Sequence, residues 1–297
     1  MATIAAALPA GRVLVVAGSD SGGGAGIQAD LKTVMALGGY ATTAVTAVTA
    51  QDTHGIVAIH PLPPAFVAQQ MQVVLDDLGA DAVKTGMLGD AATVAAVAGV
   101  LAARPERLKL VVDPVLVATG GQRLLSVEAL AVLRQRLLPL AALLTPNLAE
   151  AEALTGVAIA DEAGMWRAAQ HLLTLGVPAV LLKGGHLPGA QAIDLLATGA
   201  GILRLSSPRR ATRHTHGTGC TLASAVAAGL AQGMALADAV RRAHAYVQAA
   251  LAAAPGLGGG NGPLGHAVTV HGRWGSGAGS GGTGSDEPGT AAAAPPP

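Results

Sequence analysis

The chain has 297 residues, a formal net charge of zero at pH 7 and only 12% charged residues, while 51% of its residues are hydrophobic. A neutral chain with few charges lacks the basic surface that attracts nucleic acids or anionic membranes, so we expect a small-molecule partner and no nucleic acid. Gly, Pro, Asp or Arg interrupts every apolar run before it reaches the roughly 18 residues that span a bilayer. We therefore expect no membrane partner.

The chain contains one cysteine, Cys220, which excludes an intrachain disulfide. Residues 1–9 lack the basic flank and apolar core of a signal peptide, so we expect a cytoplasmic location. The composition predicts a flexible N-terminus over residues 1–11 and a single α/β domain over residues 12–271. Residues 272–297 are rich in Gly, Ser, Ala and Pro, which predicts a disordered tail.

The first predicted unit is a strand, a glycine-rich loop and a helix. Residues 12–18 form a short apolar run with many β-branched side chains, which is typical of a buried parallel strand. A polar loop follows over residues 19–26, and the apolar residues from Ile27 onward recur with the period of a helix.

Two nucleotide-binding motifs have to be weighed at this loop. Gly24-x-Gly26-x-x-Ala29 partly matches the dinucleotide fingerprint, so a Rossmann-type oxidoreductase or a non-catalytic nucleotide-binding module remains an alternative. The match is weak, because five residues separate the strand from these glycines. Leu31 stands where a Walker loop requires a glycine before Lys32, so no such loop is predicted.

The second predicted strand, residues 42–49, leads to a polar cluster that contains Gln51. Its amide offers both a donor and an acceptor, which suits a heterocycle with a ring nitrogen and an exocyclic amine. An ordinary turn is the alternative. The pattern then predicts a helix at 63–78, a strand and loop at 82–87 and a helix at 91–103.

The next predicted strand, residues 109–112, ends at Asp113. A carboxylate at the end of a strand could reach a hydrated metal, or it could cap the following turn. A helix is predicted at 126–138 and a strand at 141–144. After it come Asn147 and Glu150, which share one face at the start of a helix. They could hold a magnesium-bound water and a phosphate, or form a capping box.

A helix over residues 161–175 precedes a strand over 180–183, whose last residue is Lys183. This lysine could contact a phosphate or simply reach solvent. Residues 192–198 and 201–206 predict two short strands of a hairpin, and residues 235–254 predict the last helix.

The loop at residues 215–220 runs directly into an apolar segment. Gly217 and Gly219 allow backbone conformations that a Cβ disfavours, so successive N–H groups can face one concavity at a helix N-terminus, which binds phosphates. The helix behind it is apolar on nearly every face and should be buried. Cys220 lies in its first turn, where the helix N-terminus should favour the thiolate as a proton acceptor. A small buried hydrophobe is the alternative.

Taken together, the motifs resemble the hydroxymethylpyrimidine/phosphomethylpyrimidine kinase family of the ribokinase-like superfamily. The resemblance rests on the segments 17–30, Thr49-Ala50-Gln51, Lys84-Thr85-Gly86-Met87, Asp113-Pro114-Val115, Thr145-Pro146-Asn147-x-x-Glu150 and His216-Gly217-Thr218-Gly219-Cys220. It implies a three-layer α/β sandwich with a mostly parallel sheet, a small β-hairpin near the nucleotide edge and a homodimer. It also implies ATP and Mg²⁺, and phosphorylation of hydroxymethylpyrimidine and then of its monophosphate in thiamine biosynthesis.

The same resemblance assigns roles to residues at the matching positions. The pyrimidine would contact Gly18, Ala25, Asp30, Gln51, Met87 and Val115. Cys220 would be the base, beside an anion hole formed by Gly217, Thr218 and Gly219. Asn147 and Glu150 would contact the nucleotide phosphates, and Mg²⁺ would be held through water by Asp113 and Glu150. From their places in the sequence, Lys183, Thr215 and His216 are also assigned to the nucleotide and phosphate contacts. A pyridoxal kinase of the same superfamily remains an alternative.

Overall fold

The computed structural model describes residues 10–104, 108–117 and 124–270. Within these ranges, one nine-stranded sheet lies between two layers of helices. The tail at 272–297 and nearly all of the segment at 1–11, which the sequence predicted to be disordered and flexible, lie outside the described residues.

The strands are short and mostly buried at the centre of the sheet. Their bounds are β1 Arg12–Ser19, β2 Tyr40–Gln51, β3 Ile56–Pro61, β4 Ala82–Thr85, β5 Lys109–Val112, β6 Ala141–Leu144, β7 Ala179–Lys183, β8 Gln191–Thr198 and β9 Gly201–Pro208.

The helices alternate with the strands along most of the chain. Their bounds are α1 Gly26–Ala36, α2 Pro64–Asp77, α3 Ala91–Ala102, α4 Val127–Val132, α5 Leu148–Thr155, α6 Glu162–Leu173, α7 Thr218–Ala231 and α8 Leu236–Ala252. In the described part of the chain, no helix combines the length and the hydropathy that a membrane crossing requires.

The sheet has the order β3-β2-β1-β4-β5-β6-β7-β8-β9. The pairs from β2–β1 through β6–β7 are parallel. The pairs β2–β3, β7–β8 and β8–β9 at the two ends of the sheet are antiparallel. The chain leaves β1 for β2 on one side and returns to β4 on the other. The carboxyl ends of β1 and β4 therefore form the topological switch point, where open α/β sheets bind ligands.

Alternating side chains of the sheet enter two separate cores. In β1, Leu14 and Val16 pack into the core beneath helices α2 to α6. Val13 and Val15 point the other way, into the core formed with α1, α7 and α8. Both faces of the strand are buried, as is typical of a parallel sheet, and the predicted three-layer sandwich is confirmed.

Helix α7 is the interior helix that the sequence predicted. Its residues from Thr221 to Leu230 are all buried, because α1 and α8 cover its outer face. The predicted hairpin is also present, with Thr198 opposite Gly201 across its turn.

Two local features differ from the sequence prediction. The helix expected over 126–138 is α-helical only to Val132 and continues as a π-helical turn, Leu133–Leu137, and a 3-10 turn, Leu138–Leu140. Pro139 lacks the N–H that a regular helix needs there. Strand β3 was not predicted, since it is a partly exposed edge strand whose apolar residues do not alternate regularly with polar ones.

A 3-10 turn, His266–Thr269, docks the end of the described chain onto α7. His266 Nε2 lies 2.9 Å from Thr221 Oγ1, and the Tyr246 hydroxyl donates to the His266 carbonyl oxygen at 2.7 Å. Burial, with a smaller contribution from the nearby Lys32, lowers the pKa of His266 to about 4. The imidazole is therefore neutral in the folded protein at neutral pH.

We expect His266 to make the fold sensitive to acid. Its folded-state pKa lies below the ordinary value of 6.5. The contribution of the neutral imidazole to the free energy of unfolding is therefore complete above pH 6.5. It decreases by about 2–3 kcal/mol as the pH falls towards 4, because the unfolded chain binds the proton more readily. Chemical denaturation of the wild type and of His266→Gln at each pH measures this decrease. The carboxylates titrate in both proteins, so the difference between their free energies of unfolding reports on His266 alone. A stability difference that stays constant from neutral to acidic pH would contradict the prediction.

Candidate active site

The carboxyl ends of the parallel strands open into one cavity of about 880 Å³. It receives residues that follow β1, β2, β4, β5, β6 and β7, together with the first turn of α7. Of the residues that the sequence assigned to the site, the structure brings all but Asp30 to this cavity: Gly18, Ala25, Gln51, Met87, Asp113, Val115, Asn147, Glu150, Lys183, Thr215, His216, Gly217, Thr218, Gly219 and Cys220.

Asp20 organises the loop between β1 and α1, a role that the sequence assignment missed. Its carboxylate accepts hydrogen bonds from the N–H groups of Gly22 at 2.8 Å, Gly24 at 3.0 Å and Ala25 at 2.8 Å. Burial alone would raise the pKa of Asp20, but the hydrogen bonds from His216 and from these N–H groups hold it below its usual value. An Asp followed by several glycines is a signal for such a side-chain turn.

The same hydrogen bonds argue against the dinucleotide-binding alternative. In a Rossmann loop, the N–H groups of the glycine-rich turn approach the pyrophosphate. Here the N–H groups of Gly22, Gly24 and Ala25 are already bound to the Asp20 carboxylate.

The loop before α7 differs in detail from the prediction. Gly217 caps the helix with φ +83°, and a Cβ there would overlap the Gly24 carbonyl oxygen, so this position requires glycine. Gly219 lies inside the helix and does not have positive φ. Its Cβ would lie 3.1 Å from Lys183 Nζ. Gly219 therefore makes room for a cation and does not serve an unusual backbone conformation.

The N-terminus of α7 offers free hydrogen-bond donors to the cavity. The N–H of Thr218 bonds to Thr215 O, and the N–H of Thr221 bonds to Gly217 O. The N–H groups of Gly219 and Cys220 find no acceptor among the described residues. Unpaired N–H groups at the positive end of a buried helix are the arrangement that binds anions in proteins.

The expected thiolate of Cys220 is corrected by the structure. Burial raises the pKa of this thiol to about 11, the carboxylates of Asp30 and Asp113 also raise it, and Lys84 and the N–H of Gly26 only partly offset them. The helix N-terminus is therefore outweighed by desolvation, and Cys220 is a protonated thiol at neutral pH. It is partly exposed to the cavity and unpaired with any other cysteine.

Asp113 and Lys183 form an ion pair at the bottom of the cavity. Lys183 Nζ donates to Asp113 Oδ1 at 2.9 Å, and Thr145 Oγ1 lies 3.2 Å from the same oxygen. Burial would lower the pKa of Lys183, but the charges of Asp113 and Glu150 raise it above its usual value. Lys183 is thus a fixed cation beside the N-terminus of α7, and the alternative of a solvent-directed lysine is wrong.

Asn147 and Glu150 form the capping box that was one of the two alternatives left open by the sequence. The Asn147 side chain accepts from Glu150 N at 2.9 Å and Glu150 Oε2 accepts from Asn147 N at 2.8 Å, which is a complete capping box on α5. Both residues also line the cavity. Burial and, to a smaller extent, the charge of Asp113 raise the pKa of Glu150 to about 7, against the charge of Lys183.

The carboxylates of Asp113 and Glu150 fit a magnesium ion. The described residues contain no cluster of three or more His, Cys, Asp or Glu side chains that could enclose a metal. Mg²⁺ does not need one, because it keeps several waters and commonly binds one or two carboxylates plus substrate phosphates. The two carboxylates also repel each other, which is one cause of the raised pKa of Glu150, and a cation between them would relieve this repulsion.

Asp30 does not contact the cavity, which corrects its assignment to the pyrimidine. Its carboxylate is fully buried beneath the cavity floor. Lys84 Nζ donates to both of its oxygens at 2.9 Å, and Ser224 Oγ donates to Oδ1 at 2.6 Å. Burial would lower the pKa of Lys84, but the charge of Asp30 raises it above its usual value, so the lysine stays charged. Burial raises the pKa of Asp30, against the charge of Lys84 and the hydrogen bond from Ser224. The pair joins α1, β4 and α7 below Cys220.

His216 occupies a different part of the site from the one the sequence assigned. Its Nε2 lies 2.8 Å from Asp20 Oδ2 and 3.3 Å from Gln51 Nε2. The imidazole therefore contacts the loop after β1 and the end of β2, although its backbone leads into the loop before α7.

The far end of the cavity contains residues that the sequence assignment missed. Asp194 of β8 and His244 of α8 face each other there with 4.0 Å between Oδ2 and Nε2, and Gln248 lies one turn further along α8. Asp194 also accepts from Gly184 N at 3.0 Å. The sequence placed Asp194 in the predicted hairpin and His244 on the polar face of the last helix. It carried no signal that these two side chains would lie close together.

The sheet topology, the cavity at its carboxyl edge and the anion-binding N-terminus of α7 define a small-molecule kinase with a ribokinase-like fold. A sequence model of the family described as Phosphomethylpyrimidine kinase matches residues 20–265. The chain belongs to this family.

The chain is similar over most of its length to curated relatives. It is 54% identical over 265 residues to the thiamine biosynthesis bifunctional protein ThiED of Geobacter sulfurreducens, covering 89% of this chain and 54% of that protein. It is 52% identical to the hydroxymethylpyrimidine/phosphomethylpyrimidine kinase of Rhizobium meliloti, covering 85% of this chain and 96% of the relative. The chain thus spans about half of the bifunctional relative and nearly all of the second one.

A solved structure is similar in fold. Pyridoxal kinase from Staphylococcus aureus in complex with AMP-PCP and pyridoxal superposes with a TM-score of 0.80 at 33% identity, covering 89% of this chain and 95% of that one.

Proposed function

We infer that the chain is an ATP-dependent kinase that phosphorylates 4-amino-5-hydroxymethyl-2-methylpyrimidine and then its monophosphate to the diphosphate, for thiamine biosynthesis. The observation that carries this conclusion is the 52% identity to a kinase named for both steps, over 96% of that relative's length. The cavity supports it, since a donor–acceptor amide, Gln51, shares one space with the free N–H groups of α7.

Each part of phosphoryl transfer finds a residue in the cavity. The Gln51 amide orients the ring, and the N–H groups of Gly219 and Cys220 with the Lys183 cation stabilise charge on the equatorial phosphate oxygens. The substrate's hydroxymethyl oxygen attacks the γ-phosphorus and the bond to ADP breaks. The hydroxyl proton passes to the Cys220 sulfur in the fraction of molecules in which this thiol is ionised. Asp113 and Glu150 would hold Mg²⁺, which neutralises charge on the phosphates when bound.

At the second step the acceptor is a phosphate and needs no base. A phosphomonoester carries most of its second negative charge at neutral pH, so its oxygen is already nucleophilic. The cation and the N–H groups then suffice. One cavity can therefore serve both steps with different demands on Cys220.

Pyridoxal is the second candidate substrate, because a pyridoxal kinase shares the fold at 33% identity. The higher identity to the pyrimidine kinase favours the pyrimidine. Measuring ATP consumption with hydroxymethylpyrimidine, its monophosphate and pyridoxal side by side tests the proposal. Turnover of pyridoxal alone would overturn it.

Replacing Gln51 should affect the affinity for the pyrimidine without affecting the affinity for ATP. Gln51→Ala removes a paired donor and acceptor, so we expect the pyrimidine to bind more weakly by about 1–3 kcal/mol while ATP affinity stays unchanged. Calorimetric titration with each ligand measures both. If the two affinities fall equally, Gln51 has a structural role and not a recognition role.

We also propose that the chain is a cytoplasmic homodimer. The β2–β3 edge of the sheet exposes the apolar side chains of Val48 and Val57, which favours association there. Light scattering of the purified protein measures the molar mass, and Val57→Lys should lower it if this edge is the interface.

A further inference from the structure

The hydrogen bonds around Gln51 determine which way its amide must face. Thr49 Oγ1 lies 2.8 Å from Ser19 O and 3.2 Å from Gln51 Oε1, yet a hydroxyl has only one hydrogen to donate. The Ser19 carbonyl is a pure acceptor, so the Thr49 hydrogen belongs to it. Oxygen facing oxygen without a hydrogen between them is unfavourable.

A second conflict lies on the other side of the amide. Asp20 accepts three backbone N–H groups and is ionised, so the His216 Nε2 at 2.8 Å must carry a hydrogen and donate to it. Gln51 Nε2, 3.3 Å from the same atom, would then place one donor against another. Both conflicts disappear when the amide turns by half a rotation. Its nitrogen then donates to Thr49 Oγ1, and its oxygen faces the single Nε2–H of His216, which it shares with the Asp20 carboxylate in a three-centre hydrogen bond.

The imidazole that imposes this orientation is itself fixed. A Cβ on Gly24 would lie 2.6 Å from His216 Cδ2, so the ring packs directly against the glycine backbone. The N–H of His216 bonds to Gly262 O at 3.2 Å, and its Nε2 is tied to Asp20. Because the ring is buried and held at three points, it cannot turn to suit a different Gln51 orientation.

We propose that His216, held by Asp20, is a positioning residue that locks the Gln51 amide with its oxygen towards His216 and its nitrogen towards Thr49. This inference rests on the proposed function and explains how the site would select an aminopyrimidine over its oxo analogue. The amide keeps one N–H and one oxygen lone pair for the ligand. A ring edge bound there places its exocyclic amine on the His216 side and its ring nitrogen on the Thr49 side. An analogue with a carbonyl in place of the amine and a hydrogen on the ring nitrogen presents the reverse pattern.

The test measures discrimination between these two pyrimidines within each protein. The probes are hydroxymethylpyrimidine and its 4-oxo analogue, compared by kcat/KM and by calorimetric Kd. The wild type should prefer the amine by about a hundredfold or more, because the analogue leaves polar groups unpaired. His216→Leu removes the donor and frees the amide, so the preference should fall below about tenfold.

Matched variants distinguish a lock from a general structural role. His216→Gln places an amide N–H near the position of Nε2 and should keep the wild-type preference, with ATP KM unchanged. Thr49→Val removes the acceptor on the other side and should lower the preference too, which covers the case that His216→Leu does not fold. Equal losses on both pyrimidines with an unchanged preference, or a preference lost in His216→Gln, would overturn the proposal. A wild type that does not phosphorylate hydroxymethylpyrimidine would refute the proposed function itself.

Discussion

Lys84→Met is expected to destabilise the fold by about 3–5 kcal/mol, because it leaves the Asp30 carboxylate buried without its cation. Both side chains are fully buried, and two hydrogen bonds of 2.9 Å join them. Ser224 remains as a partner of Asp30, but a single hydroxyl cannot replace a full charge. Urea denaturation followed by circular dichroism measures the loss.

Two controls identify the cause of this loss. In the double variant Lys84→Met with Asp30→Asn no charge is left buried, so most of the stability should return. Arg241→Met breaks an ion pair of the same 2.9 Å length whose side chains are more than half exposed. It should cost less than about 1 kcal/mol. A loss of that small size for Lys84→Met would mean that the buried pair is neutral or that water reaches it.

The core of the fold could be predicted because its signals are local. Hydrophobic periodicity and boundary residues are visible within single segments of the chain. Examples are the run at residues 12–18, the apolar helix after Gly217 and the hairpin turn before Gly201. Strand β3 was not predicted, because it is a partly exposed edge strand with an irregular pattern of apolar residues. The change from α- to π-helix after Val132 was also not predicted, since it depends on how this segment meets Pro139 and the sheet.

The candidate site could be predicted as a set of residues, but not as a set of contacts. Strand ends of a parallel sheet converge, so Gln51, Asp113 and Lys183 could be placed at one edge. The partner of His216 could not be found, because Asp20 is 196 positions away in the chain. Asp30 lies in a helix beside a glycine loop, and only the packing of α1 on α7 decides whether it faces the ligand or Lys84.

The ionisation of Cys220 shows most clearly what local sequence omits. A helix N-terminus and a glycine loop both favour a thiolate. Desolvation in the assembled core acts in the opposite direction and is larger, so the pKa of the thiol rises to about 11. Such a balance depends on Lys84, Asp30 and Asp113, all distant in sequence.

Cys220→Ala is expected to lower kcat/KM for hydroxymethylpyrimidine by about a hundredfold to ten-thousandfold, the range of general base catalysis. The alcohol is protonated at neutral pH and must lose its proton as the new bond forms. The monophosphate is already an anion, so its phosphorylation should stay within about threefold of the wild type. Steady-state kinetics with each acceptor at matched pH measures the two losses.

The raised pKa of Cys220 adds a second, independent signature. Only the thiolate accepts a proton, and with a pKa of about 11 the thiolate fraction is small at neutral pH. It increases about tenfold for each pH unit, so the wild-type rate with the alcohol should climb in that proportion from pH 7 to 9. Cys220→Asp should recover part of the activity of the alanine variant with a flatter profile, because a carboxylate is ionised across this range.

Cys220→Ser provides the matched control for packing. It preserves the size of the side chain, and its hydroxyl does not ionise in this pH range, so it should behave like the alanine variant on the alcohol and like the wild type on the monophosphate. If Cys220 only fills space in the first turn of α7, the serine variant should retain both activities and the alanine variant should lose both in parallel. A steep pH profile that survives in Cys220→Ser would assign the proton to another acceptor in the cavity.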